Sequence, residues 1–339
     1  MLPVATEMRE LRGLDPRALP DEVLHSTQPL LLRGLVADWP LVQAGLQSPR
    51  AAIAYLRQFA RAEAQVSVMV GPPAMGGRYF YNDDLTGFNF HQERPPLGAM
   101  LDAMERHLDD AQPPSLYMGS TTVDTFLPGL RSHNDVAALD ALDPLFSVWV
   151  GNRTRIAAHQ DVPDNIACVA VGHRRFTLFP PEQLRNLYIG PLDLTPAGQA
   201  VSLVDFAAPD YARFPRFAEA LAHAQVAELG PGDAIFIPSL WWHHVEGLDG
   251  FNVLLNYWWR RTPAYLDSPM NALMLALMSV RDLPPEQRTA WQEIFRHYVF
   301  EPDQATAGHI PEAARRVLAP MTPEVARELR ARLLQRLNR

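Results

Sequence analysis

The chain contains no lysine: all thirty Lys/Arg positions among its 339 residues are arginine. Schiff-base, pyridoxal-phosphate and lysine-base chemistry are thereby excluded, since each needs an ε-amino group. Cysteine is nearly absent too. Cys168 stands alone, so neither an intrachain disulfide nor an all-cysteine metal site can form, and a cytoplasmic address is the simpler expectation. Long apolar runs are also missing. The stretch from Met270 to Val280 has eleven residues, too few to cross a bilayer as a helix. The opening MLPVATEMRELRGLD lacks the basic start and apolar stretch of a secretory leader, so the expectation is a soluble chain with no membrane partner. A net charge of -8 argues against broad nucleic-acid or anionic-membrane binding, although a local arginine cluster can still hold one phosphate or carboxylate.

What is present fits a chain with a substantial core: 47% of residues are hydrophobic and 20% charged. Turn signals at Pro20, Pro40 and Pro49 divide the first part into short segments. Pro29–Gly34 reads as a buried strand, Pro49 opens a helix capped by Ser48, and a further helix follows from Leu97 to Leu108. The middle consists of short apolar or alternating runs, VAALDALDPLFSVWVG, RTRIAAHQD, NIACVAVGHRRFTLFPP, DAIFIPSLWWHHVEGL and FNVLLNYWWR, separated by Gly, Pro, Asn and Asp. Such spacing predicts a sandwich or barrel. Residues 115–262 are the expected β core, with a loop and short helix inserted near 205–227. Residues 1–114 elaborate it. Residues 263–339 turn helical, the last helix capped at Thr322 with Pro323 at its first position. An apolar stripe on these helices suits packing on the barrel or pairing of two copies into a homodimer.

Chemistry is best sought at His159-Gln160-Asp161. In a strand, residues two apart share a face, so the imidazole and the carboxylate can converge on one point. Downstream, Pro231-Gly232-Asp233 forms a tight turn and Ala234–Pro238 a strand, and Trp241-Trp242-His243-His244 follows where a barrel strand can return to the same cavity. Two nitrogens and one carboxylate on one face of a metal are the set used by non-haem Fe(II) oxygenases, whose remaining positions stay open. Zinc with the same ligands serves hydrolysis, and manganese also fits a cupin-like site. No P-loop competes, and Gly76-Gly77 lacks the strand-loop-helix setting of a nucleotide site.

Three ordered blocks carry a wider resemblance: His159-Gln160-Asp161, then Gly172–Pro181 (GHRRFTLFPP), then Pro231–Pro238 (PGDAIFIP) with Trp241–Glu246 (WWHHVE). With PLLLRGLVADWP upstream and the helical tail behind, the chain resembles the JmjC, or cupin-8, branch of the 2-oxoglutarate- and Fe(II)-dependent oxygenases, its asparaginyl hydroxylases in particular. The resemblance implies a mainly β fold, a double-stranded β-helix (jelly roll, cupin/JmjC-like) with an N-terminal α/β elaboration and C-terminal helices. It implies Fe(II) as metal, with 2-oxoglutarate and dioxygen as cosubstrates. It makes His159, Asp161 and His243 the iron ligands and leaves His244 on the opposite face of its strand.

For the cosubstrate, the family position that supplies an ammonium is here Arg174, whose planar fork grips a carboxylate differently. Tyr117, Asn165 and Asn256 match further contact positions. Ile156 departs from the pattern, because the asparaginyl hydroxylases carry a threonine donor there. Thr154, of the same strand parity, is one candidate replacement, and Thr121 and Thr177 are others. A peptide or protein side chain is the first substrate expectation and a small molecule the second. A metal-binding sensor or scaffold without turnover is the non-enzyme alternative.

Overall fold

The computed structural model describes residues 6–338, so part of the opening segment read for a leader lies outside the described residues. The chain divides into two compact units, Met1–Arg261 and Thr262–Arg339. No helix among the described residues is long and apolar enough to cross a membrane.

The first unit holds two mixed β-sheets flanked by helices. Across the nine-stranded sheet run Arg9–Arg12, Leu30–Arg33, Ala234–Ile237, Asp164–Val171, Asn252–Trp259, Leu145–Gly151, Ser115–Thr122, Val68–Gly71 and His91–Glu93. The six-stranded sheet runs Thr6–Glu7, Gln225–Leu229, Arg174–Phe179, Trp242–Gly247, Arg155–His159 and Arg78–Tyr79. Most neighbours are antiparallel. Parallel pairs occur where short N-terminal strands join: Thr6–Glu7 with Gln225–Leu229, Arg9–Arg12 with Leu30–Arg33, and Arg78–Tyr79 with Arg155–His159.

The central strand Asp164–Val171 shows how the layers arise. All eight of its residues are buried, and the pleat sends alternate side chains to opposite sides. Ile166, Cys168 and Ala170 pack with residues of the helices Pro40–Gln47, Pro49–Arg57 and Leu97–Arg106. Ala167 and Val169 point the other way, meeting Phe176, Leu178, Leu229 and Val245 of the six-stranded sheet. The opposite face of that second sheet, through Ala158, Phe179 and Trp242, is covered by Phe206, Phe214, Phe217 and Leu221. The space between the sheets therefore holds one apolar cluster and, beside it, the functional cavity.

Two helices are capped by side chains that accept from their own first turn. Ser48 accepts a hydrogen bond from Ala51 N at 3.0 Å at the start of Pro49–Arg57, and Thr322 does so from Val325 N at 3.3 Å ahead of Pro323–Leu337. Pro40, taken for a turn signal, instead begins the helix Pro40–Gln47, since proline suits the first helical position equally well. The run at Ala137–Leu142 is a 3-10 helix and not a strand, and Gln225–Leu229 begins a strand within the segment read as an insertion.

The second unit contains Pro269–Ser279, Pro285–Phe295 continuing into a π-turn at Arg296–Phe300, and Pro323–Leu337. Thr306 is its one buried residue among those described, while Met278 is 69% and Phe300 75% exposed.

Candidate metal centre

His159 ends the strand Arg155–His159, and His243 sits directly opposite it in the antiparallel strand Trp242–Gly247. Their ring centroids are 4.3 Å apart. Asp161 does not share the strand, as the alternation argument assumed. It lies in the turn beyond, which brings its carboxylate back beside the two imidazoles. Ligand atoms of all three residues lie within 4.8 Å of one another.

Backbone contacts lock this arrangement. Leu240 N donates to Asp161 O at 2.8 Å, Ser239 Oγ donates to Val162 O at 2.6 Å, and Ser239 N donates to Asp164 Oδ1 at 2.9 Å. The turn carrying Asp161 and the turn leading to His243 are thus laced together. Ser239 and Asp164 were missed from sequence because nothing in their spacing marks them as partners.

Each imidazole also has its tautomer fixed. Nδ1 of His159 lies 2.9 Å from Ala157 O and Nδ1 of His243 lies 3.0 Å from Trp241 O. A carbonyl only accepts, so Nδ1 carries the proton and Nε2 keeps its lone pair for a cation. Burial, and then the neighbouring His243, pull the pKa of His159 down to about 4, which keeps it neutral at physiological pH. Burial pushes the Asp161 carboxyl up, but His243 and His159 outweigh it, and the net direction is down. A carboxylate beside two imidazole nitrogens is what a divalent cation requires. Asp161 Oδ2 is buried without a hydrogen-bond partner, and His243 Nε2 stands 3.5 Å away. That orphaned oxygen fits a missing positive charge.

His244 faces the other side of its strand, against Phe206 at a centroid distance of 4.6 Å. Burial, then Arg155, lower its pKa to about 3, and its Nδ1 has no partner.

The triad opens on a cavity of about 840 Å³. Arg174, Tyr117, Asn165 and Asn256 all line it, as do Ile156 and Thr121. Arg174 is only 2% exposed, its Nε has no partner, and no carboxylate acts on it. Tyr117 adjoins it, and burial pushes the phenol up to about 12, which keeps it a donor. Thr154 precedes the strand, so strand parity does not extend to it, and it lies against Gly151 and Gly247 outside the cavity lining. Thr177, opposite His244, is likewise outside. Sequence reasoning missed Trp149. Its indole donates to Asn256 Oδ1 at 2.6 Å, and Asn256 Nδ2 donates to Asn165 Oδ1 at 3.2 Å.

This donor set defines a His-Asp-His facial triad of the kind that serves non-haem iron dioxygenases. Residues 16–265 match the cupin-like domain family, and the chain belongs to that family. It is similar to the human bifunctional peptidase and (3S)-lysyl hydroxylase JMJD7, 27% identical over 261 residues that cover 68% of this chain and 77% of that protein. It is also similar to lysine-specific demethylase 8 of Xenopus tropicalis (24% over 246 residues, 70% of this chain and 49% of that protein). A shorter match joins it to tRNA wybutosine-synthesizing protein 5 of Danio rerio, 34% identical over 106 residues, 31% of this chain and 29% of that protein. The chain thus spans about half or less of the length of the latter two.

Proposed function

We propose that the protein is an Fe(II)- and 2-oxoglutarate-dependent oxygenase that hydroxylates a side chain of a peptide or protein. The observation that carries this reading is Arg174, a buried guanidinium without a counter-ion in the same cavity as the triad. Leaving a charge unpaired there is costly, so the site favours an anion. A diacid long enough to reach from the metal to Arg174 meets both demands at once.

In this reading His159, Asp161 and His243 hold the metal. Arg174 and the Tyr117 hydroxyl hold the distal carboxylate, and Thr121 replaces the donor that Ile156 cannot supply. Fe(II) and 2-oxoglutarate, when bound, would activate dioxygen, one oxygen atom leaving in succinate as the 2-oxo acid loses carbon dioxide and the other entering a substrate C–H bond as hydroxyl. The chain positions the reactants and excludes water, with Ile156, Phe176, Leu254 and Trp258 forming apolar walls.

Trp149 has a positioning role. Indole N–H only donates, so Asn256 must present its oxygen to Trp149 and its amide nitrogen to Asn165. Asn165 therefore turns its own NH2 towards the cavity. Trp149→Phe frees both amides to flip, and calorimetry is expected to show 2-oxoglutarate affinity reduced about fivefold, roughly the worth of one hydrogen bond, with Fe(II) affinity unchanged. Equal 2-oxoglutarate affinity would remove the relay.

Supporting the substrate class, two relatives are named as a lysyl hydroxylase and a lysine-specific demethylase, both acting on lysine residues. The test is incubation with candidate peptides under heavy-isotope dioxygen in ordinary water. Label from dioxygen in the peptide is expected, whereas a product that gains oxygen without label would indicate water as its source and a hydrolase. The reading includes a double-stranded β-helix core over residues 115–262, elaborated by 1–114, and a helical region, 263–339, that pairs two copies. The exposed Met278, Trp291, Phe300 and Leu334 support pairing. Light scattering at micromolar concentration should return the mass of two chains, and a one-chain mass would exclude the pair.

A further inference from the structure

The wall of the cavity furthest along the nine-stranded sheet carries a charge that neither the metal nor the cosubstrate uses. The edge strand His91–Glu93 pairs with Val68–Gly71, placing Gln92 opposite Met69. Just beyond it the chain is held again, Val66 N donating to Pro95 O and Leu97 N to Ala64 O, each at 3.0 Å. Arg94 thus has its backbone fixed between two paired segments.

Gln92 and, one residue past the end of its strand, Arg94 both line the cavity, together with Gln65 and Ser67. His91 and Glu93 take the other side and pair with each other at 2.9 Å. The acid nearest in sequence is therefore occupied elsewhere. Arg94 is exposed, and no carboxylate among the described residues lies within 4.0 Å of it.

The charged lining of the cavity, imidazoles aside, is Arg94, Arg174 and Asp161. Asp161 faces the metal site and Arg174 lies deep, leaving Arg94 the unmatched charge at the wall. A lysyl or arginyl side chain entering here would find no carboxylate to receive it. We infer that the substrate presents a carboxylate to Arg94 and is an acidic peptide, in contrast to what the names of the lysine-directed relatives suggest. This inference rests on the proposed function for its site, but on different residues for its charge.

The experiment uses the full chain, loaded with Fe(II) and 2-oxoglutarate without oxygen. Three labelled peptides, identical except for a central Glu, Gln or Lys, are titrated by fluorescence anisotropy, with glutarate as a free competitor. The Glu peptide is expected to bind about tenfold more tightly than the Lys peptide, with the gap narrowing as salt rises. Arg94→Glu should reverse that order and Arg94→Gln should erase it; both substitutions are on an exposed side chain without a partner, so the fold is not at stake. A Lys peptide bound as tightly as the Glu peptide, an order unchanged by Arg94→Glu, or no binding by any peptide would overturn the inference. Binding of glutarate alone, lost in Arg94→Glu, would replace the peptide with a small acid. The proposed function fails separately, if the parent protein binds no 2-oxoglutarate by calorimetry.

Discussion

Replacing Asp161 with alanine is expected to lower Fe(II) affinity by at least about 1000-fold, measured by anaerobic titration calorimetry. Loss of an outer hydrogen-bonding partner costs a metal site roughly 10- to 100-fold, and Asp161 is instead the only anion of the triad. Only the two imidazoles of His159 and His243 would remain. The fold should persist, because the turn is held through backbone atoms, with Leu240 N on Asp161 O, and not through the carboxylate. Its metal-free melting curve is therefore expected to stay close to that of the parent. Fe(II) affinity within tenfold of the parent would show that the ion binds elsewhere.

Arg174→Met should produce two effects of opposite sign. Affinity for 2-oxoglutarate is expected to fall by about 100-fold, the magnitude associated with truncating one member of a buried charge pair, while Fe(II) affinity stays within about threefold. The ligand-free protein should become more stable, by about 1–4 kcal/mol, since methionine fills similar space without burying a charge. Arg174 is 2% exposed and has no carboxylate acting on it, so only the Tyr117 hydroxyl offsets part of its desolvation. A merely structural arginine would behave in reverse, losing stability when replaced. Urea unfolding read beside calorimetry separates the two. Unchanged 2-oxoglutarate affinity would remove Arg174 from the site.

The choice of His243 over His244 was legible mainly through the family resemblance, and strand alternation agrees with it: His243 and Val245 share the inner face and His244 the outer. Caps at Ser48 and Thr322 were legible for the same kind of reason, a side chain acting on its own next turn. Alternation failed where the strand stopped. Asp161 reaches the site through a turn, and Thr154 misses it by standing one residue before the strand. Pro40 shows another limit, as one residue type serves both a turn and a helix start. Relations between distant segments were invisible: Ser239 with Val162, Trp149 with Asn256, and Arg94 beside a cavity whose other residues lie up to 164 positions further along at Trp258. Such partners are chosen by packing, not by local pattern. The absence of lysine did sharpen one point, since the basic group deep in this cavity other than the imidazoles is a guanidinium.

An oxygenase requires that metal and 2-oxo acid react together in this cavity. The most direct measurement is succinate release from 2-oxoglutarate by the Fe(II)-loaded protein, with and without dioxygen, beside Asp161→Ala under the same conditions. The expected result is release that needs both Fe(II) and dioxygen, rises with a bound peptide and falls to background in Asp161→Ala. Equal, negligible release from the parent and the variant, with Fe(II), 2-oxoglutarate and peptide all verified as bound to the parent, would contradict it.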